Sequence, residues 1–355
     1  MSIMNIIRPE IRAMRPYHAA EQVNDTIRLN ANESPWTAAD DNFRRPLNRY
    51  PEVRPSILRS LLAERYGCDA HNLIVTRGSS EGIDLLTRVF CRAEHDSVLT
   101  HTPTFSMYRH YAQLQSAHVI ECPTSADNDF AIDVDALLAA CTDTTRLIYI
   151  CSPNNPTGNS LSKRDLVRIL EARADKSAVI VDEAYIEYSE HSSAIELMPQ
   201  YENLIVLRTL SKALACAGAR CGSVLAAADI IDVLEAVHAP YALATPVVES
   251  VENALQSGSL ATADRLAQEI SIARAALMST IEQFSFVTRV WPSDANFFLI
   301  QVAAADELLA HCLRHGILLR DFGGDLPNCI RITVGSNAEN DRLLLACQDF
   351  QEPTL

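Results

Sequence analysis

Residues Ser177–Tyr188 read SAVIVDEAYIEY: an unbroken apolar run ends in Asp182, and Tyr185 follows three positions on. A short β-branched run without alternation is the signature of a strand buried on both faces, as in a parallel sheet. A carboxylate at the end of such a strand is costly unless a cation or hydrogen-bond donors meet it. Two readings are open for this stretch alone: a loop or helix-capping aspartate, or a carboxylate facing a cationic ligand.

Similar runs recur on either side: LIVTR (73–77), SVLT (97–100), HVIE (118–121), RLIYI (146–150), LIVLR (204–208) and GSVLA (222–226). Helical patterns separate most of them, for example 80–91 and 162–174, the latter opened by a Ser162–Asp165 capping box. Seven strands alternating with helices predict an α/β unit around a mostly parallel sheet, with ligands at the carboxyl ends of its strands. After PYALATP (240–246) the pattern changes to two long helices, 247–257 and 262–284. Strands FVTRVW, NFFLIQ and CIRITV and a last helix near 340–349 follow. The expected division is therefore an N-terminal arm, 1–30, packed with the smaller unit; a large domain, 31–245; and a small α+β domain, 246–355.

Composition excludes several functions. A net charge of −15 without basic runs argues against nucleic acid as the main partner. Ten cysteines scattered without CxxC pairs fit a reducing, cytoplasmic setting and provide no metal-ligand spacing. No apolar run is long enough to span a membrane, and the N-terminus lacks a signal-peptide core. The absence of GxGxxG speaks against a nicotinamide enzyme.

Three further stretches carry chemistry. TLSKALACAGARCG (209–222) sets Lys212 among small residues, although only three of the 30 basic residues are lysines. A desolvated lysine can lose its proton and condense with a carbonyl, which an arginine cannot do; a snorkelling surface lysine is the plain alternative. SPNNPTG (152–158) follows a strand and exposes the Asn155 amide. VTRGSSEGIDLL (75–86) leads through Gly78 into a helix start at Ser79 and Ser80, a weak anion-binding signal by itself. Together, a Schiff-base lysine, a carboxylate for a ring cation, an amide and a phenol for a ring oxygen and an anion site suit pyridoxal 5′-phosphate.

With LNANESPW (29–36), NRYPE (48–52), PTFSMY (103–108), SDANFFLI (293–300) and GILLRDFG…CIRITVG (316–335), these stretches run in one order along the chain. In that order they resemble the fold-type I pyridoxal-phosphate aminotransferases, and within them the histidinol-phosphate aminotransferase family. The resemblance implies a seven-stranded large domain, a smaller α+β domain and a homodimer with shared active sites. By position, Lys212 would hold the cofactor and move the substrate proton, and Asp182 would keep the ring nitrogen protonated. Asn155 and Tyr185 would hydrogen-bond the ring oxygen. Ser79, Ser80, Thr209, Ser211 and Arg220 would hold the phosphate, and Tyr108 would stack on the ring, with Phe105 as competitor. Arg331 would grip a carboxylate and Arg320 a phosphate or second carboxylate. Tyr17 and Asn30 would add to the substrate site, and Tyr50 would reach into the partner's. One departure is visible: the family's LSKAFALAGLRCG reads LSKALACAGARCG here, a change in packing residues only.

The implied reaction is L-histidinol phosphate plus 2-oxoglutarate giving imidazole acetol phosphate and L-glutamate, with small molecules as amino donor and acceptor and no metal. Three alternatives stay open: an aromatic amino acid aminotransferase, a threonine-phosphate decarboxylase and a non-enzymatic regulatory domain.

Overall fold

The computed structural model describes residues 2–23, 26–256 and 258–351. Its larger sheet contains all seven expected strands: β1 (Leu73–Thr76), β2 (Ser97–Thr102), β3 (His118–Pro123), β4 (Thr145–Cys151), β5 (Ala178–Asp182), β6 (Leu204–Thr209) and β7 (Gly222–Leu225). Their order is β1-β7-β6-β5-β4-β2-β3. The pairings among β3, β2, β4, β5 and β6 are parallel, and β7 runs antiparallel to both its neighbours. Within β5, Val179 and Val181 enter one hydrophobic layer while Ala178 and Ile180 enter the other. That two-sided burial explains why the strand is apolar at every position.

Helices cover both faces: α1 (Pro9–Arg12), α2 (Ser56–Tyr66), α3 (Ser79–Phe90), α4 (Met107–Leu114), α5 (Val134–Ala140), α6 (Lys163–Ala172), α7 (Ala228–Val237) and α8 (Thr245–Gln256). The capping box forms at α6, where Ser162 Oγ accepts from Asp165 N and donates to its carboxylate. The smaller, antiparallel sheet has the order β10-β11-β9-β8. It comprises β8 (Val287–Val290), β9 (Phe297–Val302), β10 (Arg320–Asp321) and β11 (Cys329–Thr333). Around it lie α9 (Ser259–Ile281), α10 (Ala305–Arg314) and α11 (Asn337–Gln351).

Two expectations about domain limits are corrected. The arm does not begin on the smaller unit. Ile3 and Ile7 are buried with Ile83, Val89, Phe90 and Ile230 of the larger one, and Arg8 N donates to Val89 O. The groove between α3 and α7 gives those isoleucines apolar surface to cover. Nor does the second unit open at residue 246. Val248, Val251 and Leu255 of α8 pack with Leu58 and Leu62 of α2 in the large-sheet core. Helix α10 was not legible in the sequence, because Ala304 caps it without a side-chain hydrogen bond and so leaves no start signal.

Candidate active site

The parallel strands deliver their carboxyl ends to one edge of the sheet. There Cys151 pairs with Asp182, and Thr209 and Thr76 both face Gly222. Gly222 permits a tight crossing: a Cβ there would lie 2.6 Å from Ser79 N and 2.9 Å from Arg208 O. Gly78, at φ +78°, opens α3 on this edge, and a Cβ on it would meet Arg220 Nη2 at 2.6 Å. Arg220 itself is held at φ +52°, an uncommon conformation for a side-chain-bearing residue and a frequent mark of functional loops. Its Nη1 donates to Ser211 Oγ at 3.3 Å, and Thr209 Oγ1 donates to the same oxygen at 3.0 Å. The free N–H groups at the start of α3 complete a cradle for an anion.

Asp182 is only 2% exposed. Its Oδ2 accepts from Tyr108 Oη at 2.8 Å and its Oδ1 from Ala184 N at 3.2 Å. Burial pushes its pKa up to about 6; the hydrogen bonds and the Lys212 charge oppose the rise but do not cancel it. The carboxylate therefore lacks a full counter-charge, which a ring cation would supply. Lys212 is exposed by surface area, yet its ammonium stands 5.5 Å from the Tyr185 ring centre. Enclosure of the amine, followed by the Arg331 charge, lowers its pKa. Tyr185 is buried edge-on against Phe297 at 5.0 Å.

Tyr108 is corrected. It is fully buried, stacked on Tyr149 at 4.8 Å and 8°, and it presents a hydroxyl to Asp182 rather than a ring face to a ligand. Helix α4 turns its inner side into the layer containing Tyr149, so no ring face of Tyr108 remains open. Phe105 is half-buried and meets Tyr108 edge-on at 5.7 Å.

On the small sheet, Arg320 and Arg331 sit directly opposite each other in the β10–β11 ladder. Like charges so placed repel unless an anion lies between them. The Arg331 guanidinium lies 5.0 Å from the Phe297 ring and 5.4 Å from Phe322, which also receives Arg320 at 5.7 Å. Its Nη1 donates to Asn155 Oδ1, while its buried Nε has no partner among the described residues. Because Oδ1 is occupied, Asn155 offers its Nδ2 amide hydrogens to a ligand. Burial and the facing Arg320 both disfavour charge on Arg331, a cost that a bound anion would offset.

Sequence reasoning did not single out Phe297, Phe322 or Tyr149 as site residues. Apolar patterning marked Phe297 and Tyr149 only as strand residues. Tyr241 was missed as well; it stacks on Tyr50 at 4.6 Å and meets Tyr17 edge-on at 6.5 Å. No hydrogen bond or ring contact among the described residues joins this exposed cluster to Lys212 or Arg331. Asn30 donates to Glu21 O at 2.9 Å.

A strand-edge lysine and buried carboxylate beside an anion cradle suit a phosphorylated ring cofactor, and the chain belongs to the family of aminotransferases of class I and II, whose model matches residues 24–346. A histidinol-phosphate aminotransferase of Xanthomonas campestris pv. campestris is 40% identical over 99% of this chain and 98% of its own length. One from Haemophilus influenzae is 37% identical over 99% and 100%. Among solved structures, a histidinol-phosphate aminotransferase of Clostridium acetobutylicum superposes with a TM-score of 0.78 at 21% identity, covering 86% of this chain and 91% of that one. An L-threonine-O-3-phosphate decarboxylase of Porphyromonas gingivalis reaches 0.72 at 22% identity over 86% and 91%. Fold alone therefore does not distinguish these reactions.

Proposed function

We propose that this protein is a pyridoxal-phosphate-dependent transaminase of L-histidine biosynthesis. It would exchange the amino group between L-histidinol phosphate and 2-oxoglutarate, giving imidazole acetol phosphate and L-glutamate. The full-length identity to proteins named for this reaction supports the assignment. The structural observation that carries it is the Arg320–Arg331 pair, which suits substrates with an anionic group at their distal end.

When bound, pyridoxal phosphate supplies an electron sink for the carbon that loses its proton. The Gly78–Ser80 helix start, Thr209, Ser211 and Arg220 anchor its phosphate. Asp182, ionised once a cation lies against it, holds the ring-nitrogen proton. Asn155 Nδ2 and the Tyr185 hydroxyl hydrogen-bond the ring oxygen, and Arg331 fixes the amide's orientation. Lys212 Nζ, with its lowered pKa, would take the proton from the substrate's amine-bearing carbon and deliver it to the cofactor carbon from which the amino group is carried. The arginines hold the far anion so that the reacting bond stays at the lysine.

A homodimer with shared sites is part of this reading. Ile27, Leu29 and Trp36 are 88%, 91% and 78% exposed, together with Tyr17 and Tyr50, and such surface calls for a partner. The cytoplasm is the proposed location, in keeping with ten free cysteines. No helix among the described residues is long and apolar enough to cross a membrane.

The test follows the cofactor's spectrum in single turnovers with L-histidinol phosphate, L-phenylalanine and L-threonine O-3-phosphate. The first should react with the highest kcat/KM. A higher value for phenylalanine, or carbon dioxide release from threonine phosphate, would replace the assignment.

A further inference from the structure

The smaller unit carries a cluster that transamination does not use. His311 and His315 are one helical turn apart at the end of α10, so their rings project to the same side. The ring centres are 4.5 Å apart and the planes tilted by 31°. Asp349 of α11 reaches between them: its Oδ2 lies 3.5 Å from His311 Nε2 and 3.2 Å from His315 Nε2. One ligand atom from each of the three residues falls within 4.8 Å of the others. A tetrahedral ion bound at about 2.0–2.2 Å keeps its donor atoms about 3.4 Å apart, so the observed spacings need only small side-chain rotations to admit it. His311 is buried and fixed by the helices, whereas His315 and Asp349 are exposed and leave room for water as further ligands.

We propose that His311, His315 and Asp349 form a binding site for one divalent transition-metal ion, which staples α10 to α11. Two imidazoles with one carboxylate suit Zn2+, Ni2+ or Co2+, whereas Mg2+ and Ca2+ prefer oxygen donors throughout. His311 Nε2 now lies 3.0 Å from Ala346 O, so metal binding moves its proton to Nδ1 and frees that carbonyl for water or the ion. Arg314 Nη2, 3.5 Å from His311 Nδ1, turns outward in exchange. Arg342 donates to the His315 carbonyl, not to its ring.

The experiment uses untagged full-length protein, loaded with its cofactor and freed of metal by chelation. NiCl2 is added during calorimetric titration and thermal unfolding. One saturable Ni2+ per chain and a rise in Tm are expected. His315→Gln and Asp349→Asn, each at an exposed position, should weaken binding at least about tenfold, because loss of a direct ligand exceeds a second-layer change. Their metal-free Tm should match the parent's. Buried Cys312 and Cys347 lie nearby, so a CoCl2 spectrum checks the donors; nitrogen–oxygen bands without thiolate charge transfer are expected. Absence of saturable binding, equal affinity in both variants or a thiolate band would overturn the proposal.

Discussion

Tyr108 donates its hydroxyl to Oδ2 of Asp182 at 2.8 Å from inside the core, with its ring stacked on Tyr149. A residue positioned by sequence to cover a cofactor instead supports the carboxylate beneath it. Tyr108→Phe keeps the stack and removes the hydroxyl. A hydrogen bond to a charged group contributes about 1.5–3 kcal/mol, so cofactor affinity should fall by about tenfold or more. Fluorescence titration of the cofactor-free variant reads this directly; unchanged affinity would remove Tyr108 from the site.

Asp182 links the site to pH. Its folded pKa, about 6, stands above the ordinary 3.8, so the folded chain binds more protons than the unfolded one between those values. Its contribution to stability is therefore fully present below pH 3.8 and is lost as pH rises through 6. In cofactor-free protein, the stability of the parent relative to Asp182→Asn should rise as pH falls from 7 to 4, by up to about 3 kcal/mol. Urea unfolding of both proteins across that range gives the difference, and a flat difference would mean Asp182 is already paired. Asp182→Asn should also abolish most transamination, since an amide cannot hold the ring proton.

The opposed arginines separate two anion contacts. Arg331→Ala should impair both half-reactions, because it removes the group that also orients Asn155. Arg320, exposed on β10, should make a smaller contribution: Arg320→Ala should weaken reaction with histidinol phosphate and affect phenylalanine much less. Equal losses for the two substrates would show that Arg320 does not read phosphate.

Exposure of Tyr50, stacked on Tyr241, suits a residue that works in a partner's site. Mixed under conditions of subunit exchange, inactive Tyr50→Ala and Lys212→Ala proteins should recover activity, because one hybrid site escapes both lesions. Exchange proven by mass spectrometry without recovery would count against a shared site.

Six of the seven strands were legible because they are buried strongly enough to be written largely in apolar residues; the edge strand β3 has no buried residue and was legible only from its short Val119–Ile120 run. The start of α6 was legible because Ser162 and Asp165 cap it locally. The candidate site residues could be proposed from the sequence because Lys212, Asp182, Asn155 and Arg331 fall at strand ends, turns and strands where residue type itself carries a signal. Tertiary structure alone decided the rest. The orientation of Tyr108 depends on which layer α4 faces, and the assignment of α8 to the large core depends on Leu58 and Leu62 of a distant helix. The confrontation of Arg320 with Arg331 is set by the register of a two-residue strand, and the meeting of His311, His315 and Asp349 by the packing of α10 on α11. Local preference determines which residues form a helix or strand; only packing determines which side chains meet.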